Sequence, residues 1–249
     1  MTSTTKKMMT TSVNTTSSAA KTSSSPKASS TTLRIASTVK SSTSSTKHTS
    51  ATSKTSSTST NKPKTTSATT AAASAVATTY EQLVLAHHNV HRANHSATDV
   101  IWSANLAAIA LSIAETCVYE HNTTAGGGGY GQNIAAGVEA SGIGEVISDL
   151  FYNGEVNYFV GLYGEASPDM TNFEHWGHFS QIVWKATTTV GCATYDCSSS
   201  GLANVGSDVS PYFTVCNYEG PGNVGGEYGA NIGSPLDYAT VTGEETVYT

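Results

Sequence analysis

Acidic residues are missing from the start of the chain. All 18 Asp and Glu lie at Glu81 or later, whereas ten of the 12 Lys and Arg (Lys6, Lys7, Lys21, Lys27, Arg34, Lys40, Lys47, Lys54, Lys62 and Lys64) precede Tyr80. Aromatic and branched aliphatic residues are almost as scarce there. Residues 1–79 are Ser, Thr, Ala and Lys, and such a stretch cannot bury enough apolar surface to offset the entropy of ordering it. It reads as a disordered tail, and Ser/Thr-rich sequence with scattered Pro reads further as a mucin-like, O-glycosylated spacer. Its charges are spread singly, which suits a solvated stalk. The remainder carries Arg92 and Lys185 against all 18 acids. That balance repels phosphate backbones and excludes nucleic acid as its partner.

Other absences concern compartment and chemistry. No apolar run of signal-peptide length follows Met1, and nothing is long enough to span a membrane. The Ser/Thr stalk, four cysteines and the sequons at Asn14, Asn94 and Asn122 nevertheless point outward. The favoured reading is an extracellular protein, secreted or wall-associated, whose leader is lost from this start; the alternative is a soluble protein exported by another route. Neither His-Glu-x-x-His nor Cys-x-x-Cys occurs, which argues against a zincin peptidase or a zinc ribbon. The Gly126–Gly129 run is not followed by Gly-Lys-Ser/Thr, so it is no phosphate cradle.

What is there begins at Tyr80, where Trp, Tyr, Leu, Ile and Val supply the core of one domain, residues 80–235, with 236–249 as an extension. Residues 81–95 read as a first helix. His87 and His91 share a face of it, a spacing that can hold a metal, but with no Glu or Cys nearby a structural or exposed role is the better reading. Ser103 can cap a second helix whose stripe of Leu106, Ile109, Ala110, Ile113 and Cys117 faces inward. The glycines that follow let a flexible loop fold His121 and Gln132 toward one point. A third helix over about 145–159 turns Val146, Leu150 and Phe151 inward and places Glu155 one turn beyond. An aromatic loop, 157–174, carries Tyr158, Tyr163 and Phe173 between Gly161, Gly164 and Pro168. His178 opens a further helix whose Phe179, Ile182 and Val183 are spaced to be buried, with Trp184 after it. Residues 189–197 and 212–218 are patterned as strands, and the rest is Gly-rich and turn-like.

Four segments, taken together and in order, resemble the CAP superfamily of cysteine-rich secretory, antigen 5 and pathogenesis-related-one proteins. They are His88-Asn89-x-x-Arg92, Gly131-Gln132-Asn133-Ile134, Gly177-His178-Phe179-Ser180-Gln181-Ile182-Val183-Trp184, and Cys216-Asn217-Tyr218-Glu219-Gly220-Pro221-Gly222-Asn223. The resemblance covers residue 80 to about 230, and the preceding tail is similar to that of fungal secreted members. It implies an α+β fold, a three-layer α-β-α sandwich with an open cleft. The positions matching the family's two His and two acids are His121, Gln132, Glu155 and His178, with Gln132 where Glu is common. A neutral amide is a poorer partner for a cation and cannot accept a proton. Any divalent ion, Zn or Mg, is therefore expected to bind weakly, through His121 and His178, and none is obligatory. Four Cys allow three connectivities; the resemblance selects Cys117–Cys197 and Cys192–Cys216.

The function implied first is extracellular binding of a sterol, fatty acid or other small lipid, in lipid export or host interaction. The aromatic loop is similar to the family's sterol-contacting loop, which nominates Tyr158, Phe159, Tyr163 and Phe173. The plainer role for Tyr158 and Phe159 is to finish the third helix against the core. Two alternatives stand beside it: a metal-assisted, peptidase-like hydrolase using Glu155 and His178, and a cell-wall or receptor-binding protein, engaging a host protein, with an idle cleft. Nothing in the sequence supplies a recognisable nucleophile, so a non-enzymatic role is preferred, and Ser180 has no supporting partner.

Overall fold

A computed structural model describes residues 9–12 and 76–248. Thr79 starts the first helix, α1 (Tyr80–Asn94), with a reciprocal cap: its hydroxyl accepts from the Gln82 N–H while the Gln82 side chain accepts from the Thr79 N–H. The inward face of α1 is polar for a core helix, burying His87, His88, His91 and Arg92 beside Val84 and Ala86. Ser103 caps α2 (Ala104–Ala114), accepting from the Leu106 N–H. Cys117 lies past its end at positive φ, still buried.

Among the described residues five strands form one sheet, β1 (Met9–Ser12), β2 (Ile101–Trp102), β3 (Gly131–Ala136), β4 (Thr189–Asp196) and β5 (Tyr212–Glu219), in the order β1-β3-β5-β4-β2. All neighbours are antiparallel except β2 and β4. β1 falls inside the stretch read as tail and adds an edge strand to β3. β3 replaces the loop expected after the glycine run; it is buried at all six positions, so it lacks the alternation that marks a half-exposed strand.

The sheet separates two cores. Ile134, Phe213 and Val215 pack with Ala110 and Ile113 of α2 on one face, and Cys117–Cys197 closes that side. On the other, Val190 and Tyr218 meet α1, α3 (Gly177–Val183) and a π-helix, Glu145–Asn153, around Phe151, Trp176, Phe179 and Trp184. Cys192 and Cys216, directly opposed in the β4–β5 register, are joined beneath it. The fold is α+β in three layers.

The third helix is shorter than its sequence implies. It winds as a π-helix to Asn153, where the Gly154 N–H bonds back five residues to the Asp149 carbonyl, and a separate 3₁₀ turn, Val156–Phe159, follows. Gly154 ends the first helix and Glu155 sits in the joint. Val146 and Phe151 are buried as expected from their spacing, whereas Leu150 is only half-buried. The 157–174 loop is likewise not structureless, since Met170–His175 forms another 3₁₀ turn, and a short helix, α4 (Tyr228–Asn231), interrupts the Gly-rich stretch. The segment after α4 runs back over α1: Leu236 N–H donates to the Asn94 carbonyl, Ala77 N–H to the Val247 carbonyl, and Tyr248 bridges to Val76.

Candidate functional site

The break after the π-helix is what frees Glu155. Its carboxylate turns onto the start of α3, one oxygen accepting from the His178 and Phe179 N–H groups at 2.9 Å each, the other 2.5 Å from His178 Nδ1. A carboxylate suits a helix N-terminus because the unpaired N–H groups there carry partial positive charge. Glu155 is 4% exposed and His178 fully buried. Phe151 stacks on the imidazole, ring centroids 4.7 Å apart, so the ring is held by an anion at its edge and an aromatic face. This is a braced His–Glu pair.

The second pair is more open. His121, half-buried, places Nδ1 3.0 Å from Gln132 Oε1, which also accepts from the Asn122 N–H. The Gln132 amide nitrogen donates to the Asn122 carbonyl and, at 2.9 Å, to Asn217 Oδ1. Here an amide does what a carboxylate cannot: it accepts from one side and donates to the other. The pairs are linked through β3. Gln132 lies on the α2 face with Asn217, while its neighbour Asn133 turns to the other face and donates to the His178 carbonyl.

The histidines of α1, which their spacing left as structural or exposed, are all buried. Val84 O can only accept, so His88 Nδ1 carries the proton and Nε2 accepts from the Tyr218 hydroxyl, which takes a bond from Asn133. This chain ends one residue from Gln132 and reaches the His178 backbone. Burial pushes His88 down to about 3. His87 and His91 share the Ser148 hydroxyl at 2.8 and 2.7 Å, and burial lowers both, His91 to about 3. Arg92 donates to the carbonyls of Thr98, Ile182, Trp184 and Thr187, tying α1 to the end of α3. Burial lowers it to about 10, so it remains charged.

Of the aromatic residues nominated for lipid contact, Phe159 and Phe173 are in the core, each packed edge-on to Trp176. Tyr158 is exposed and stacked on His175, and Tyr163 is half-buried, lining a cavity against α1. Ser180 is a brace, its hydroxyl turned to the Gly177 carbonyl and Asn223 Oδ1. Among the described residues no three His, Cys, Asp or Glu side chains are grouped to hold a metal ion. With Glu155 already accepting three bonds, the donor set does not fit a ready-built cation centre. Of the sequons, Asn14 lies outside the described residues. The Asn94 amide nitrogen donates to the Tyr152 hydroxyl, whereas Asn122 has its oxygen in bonds to Thr124 and Ala125. Sequence reasoning missed Asn133, Asn217 and Tyr218 as the groups that position the site, although all three lie in segments that carried the resemblance.

Residues 85–218 match the family described as "CAP: Cysteine-rich secretory protein family". The chain belongs to the CAP family. It is 45% identical over 163 residues to the "Probable pathogenesis-related protein" of Arthroderma benhamiae, covering 66% of this chain and 52% of that one. It is 30% identical over 154 residues to "Secreted protein RBT4" of Candida albicans, covering 60% and 37%. The chain thus spans about half the length, or less, of these CAP relatives. The "Crystal structure of NaASP2 with Zn2+" is similar in fold at a TM-score of 0.50 and 21% identity, covering 63% of this chain and 85% of that one. Two disulfides and a relative named as secreted agree with an extracellular setting for this CAP domain. Among the described residues no helix is long and apolar enough to cross a membrane.

Proposed function

We propose that this CAP protein acts outside the cell by binding a sterol or another small lipid. The observation that carries the reading is a cavity of about 340 Å³ between α1, the end of the π-helix and the loop that follows Glu155. Val90, Tyr152, Val156, Val160 and Tyr163 supply its apolar wall, and the segment from Pro235 to Val241 lies along its other side. Its size falls in the range of small-ligand sites. Val160, 69% exposed, and Tyr238, 55% exposed, leave apolar surface at this wall that a lipid would remove from water. The braced His–Glu pair supports this reading over hydrolysis, because His178 is fully buried, with Nδ1 held by Glu155 and the ring covered by Phe151.

The test is titration of a fluorescent sterol into the full chain. Val160→Lys leaves the core untouched but replaces apolar wall by charge, and is expected to weaken binding about 5- to 30-fold, the equivalent of about 1–2 kcal/mol. Circular dichroism recorded in parallel should not change. Binding unaffected by Val160→Lys, or no binding by the wild type, would defeat the reading.

A further inference from the structure

The near end of the far wall of that cavity is tied to the end of α1 through Asn94 and His95. Asn94 Oδ1 accepts from the backbone N–H groups of Leu236 and Tyr238, both at 3.1 Å. The Asn94 amide nitrogen donates to the Tyr152 hydroxyl at 2.9 Å, and that hydroxyl lies 2.8 Å from His95 Nε2. The other ring nitrogen, Nδ1, is 2.7 Å from the Gly233 carbonyl. Proton positions follow from valence. A carbonyl only accepts, so Nδ1 carries hydrogen; in the neutral ring Nε2 then accepts the Tyr152 O–H, which leaves the tyrosine oxygen to accept from Asn94. Each side-chain donor from His95 through Tyr152 to Asn94 then has an acceptor, and both ends of the chain of bonds hold the segment 233–238.

A second proton on His95 breaks this order. With hydrogen on Nε2, the Tyr152 oxygen faces two donors and its own hydrogen loses its acceptor. The groups around His95 offer no compensating anion. It is faced by Tyr152 from the π-helix, Tyr163 from the following loop, Phe179 from α3, His91 on its own helix and Lys185 beyond α3, while Asp237 lies along the cavity with His91. Burial and Lys185 both disfavour the charged ring, against the Gly233 bond.

We propose that residues 233–248 are a strap over the cavity, clasped through His95, Tyr152 and Asn94, and that protonation of His95 releases it. The segment's remaining ties do not pass through His95: the Leu236 N–H to the Asn94 backbone carbonyl at 2.8 Å and, further along, Asn153 to the Val241 carbonyl, the Gly243 N–H to Asp149 and the Ala77 N–H to the Val247 carbonyl. Acid therefore opens the strap at 233–238 first, widening the cavity toward solvent. The strap stands by itself; only the statement that opening exchanges a lipid rests on the function proposed above.

Amide hydrogen exchange on the full, disulfide-bonded chain tests it, after correction for the intrinsic pH dependence of exchange. Protection of residues 236–241 should fall about tenfold per pH unit below about 6.5, as expected when the open state binds a proton that the closed state excludes. The amides of β5 should stay protected. His95→Gln should make strap protection independent of pH, and Tyr152→Phe should loosen it already at pH 7.5. Strap protection that does not change with pH overturns the proposal, as does β5 losing protection in step with it, or a His95→Gln chain that responds to acid like the wild type. Fluorescent sterol added in the same series keeps the two readings apart: a strap that opens on schedule while no sterol binds at any pH sustains the clasp and removes the lipid.

Discussion

Glu155 shows how one side chain joins local structure to the site. It stands where the π-helix gives out, its carboxylate holds the His178 ring and the first N–H groups of α3, and it is nearly fully buried. Hydrogen bonds to an ionised group are worth more than neutral ones, about 1.5–3 kcal/mol against about 1. Glu155→Gln keeps the shape but lays an amide against a donor, and it is expected to cost about 1–3 kcal/mol in urea unfolding and to let the His178 ring turn, visible as a shifted imidazole resonance. An unshifted resonance and unchanged midpoint would mean that the carboxylate does not hold the ring. Much of this was legible as identity without role: His121, Gln132, Glu155 and His178 could be named from the sequence because they sit in or near the matching segments. What Glu155 bonds to could not, since it depends on a break in the helix that Gly154 alone does not announce. Nor could the buried state of His87, His91 and His95, because polar residues at helical spacing ordinarily mark a solvated face.

Among the elements, α1 and α2 were readable because capping and a 3.6-residue apolar period coincide in them, and β4 and β5 because Val, Thr, Tyr and Phe, which suit a strand, are concentrated in them. β3 was not, because Gly131-Gln132-Asn133-Ile134-Ala135-Ala136 holds a single β-branched residue and no aromatic, and the parallel contact of two-residue β2 with β4 depends on distant chain. α2 lies close on β4, and Gly191 makes this approach possible. A Cβ there would lie 2.3 Å from the Ala107 nitrogen and 2.5 Å from the Ser103 carbonyl oxygen, both backbone atoms that cannot swing aside. Gly191→Ala should therefore push α2 off the sheet, at a cost of about 1–3 kcal/mol or more. Cys117–Cys197 ties the two together just beyond, so the domain should remain folded but melt earlier by calorimetry. A melting temperature equal to the wild type's would show that α2 can move without loss.

For the molecule as a whole, the row of histidines along α1 sets how the fold responds to acid. Burial holds His88 and His91 at about 3 and lowers His87 and His95, so at neutral pH the folded chain keeps these rings uncharged. In the unfolded chain the same rings titrate near about 6.5. Below that pH the unfolded state binds protons that the folded state refuses, and stability is lost as pH falls; above it the contribution is fully present. The exposed carboxylates Asp169 and Asp196 titrate below their ordinary range and leave the interval from 6.5 to 5 clear. Well below 6.5 each depressed ring costs about 1.4 kcal/mol per pH unit, so His88 and His91 together remove about 3 kcal/mol between pH 6.5 and 5. That is a large part of the about 5–15 kcal/mol that holds a typical domain folded. The urea midpoint should accordingly fall steeply from pH 7.5 to pH 5 with little change in the denaturant slope, the sign of lost stability rather than of an altered native state. His88 lies beneath the sheet-facing side of α1, bonded to Tyr218, and opening the strap does not expose it. Replacing it with Gln should thus reduce the pH slope of stability by one proton's worth while leaving the strap's own acid response in place. A midpoint level across that range would mean that these rings protonate inside the folded protein and that the α1 row is no acid-sensitive core.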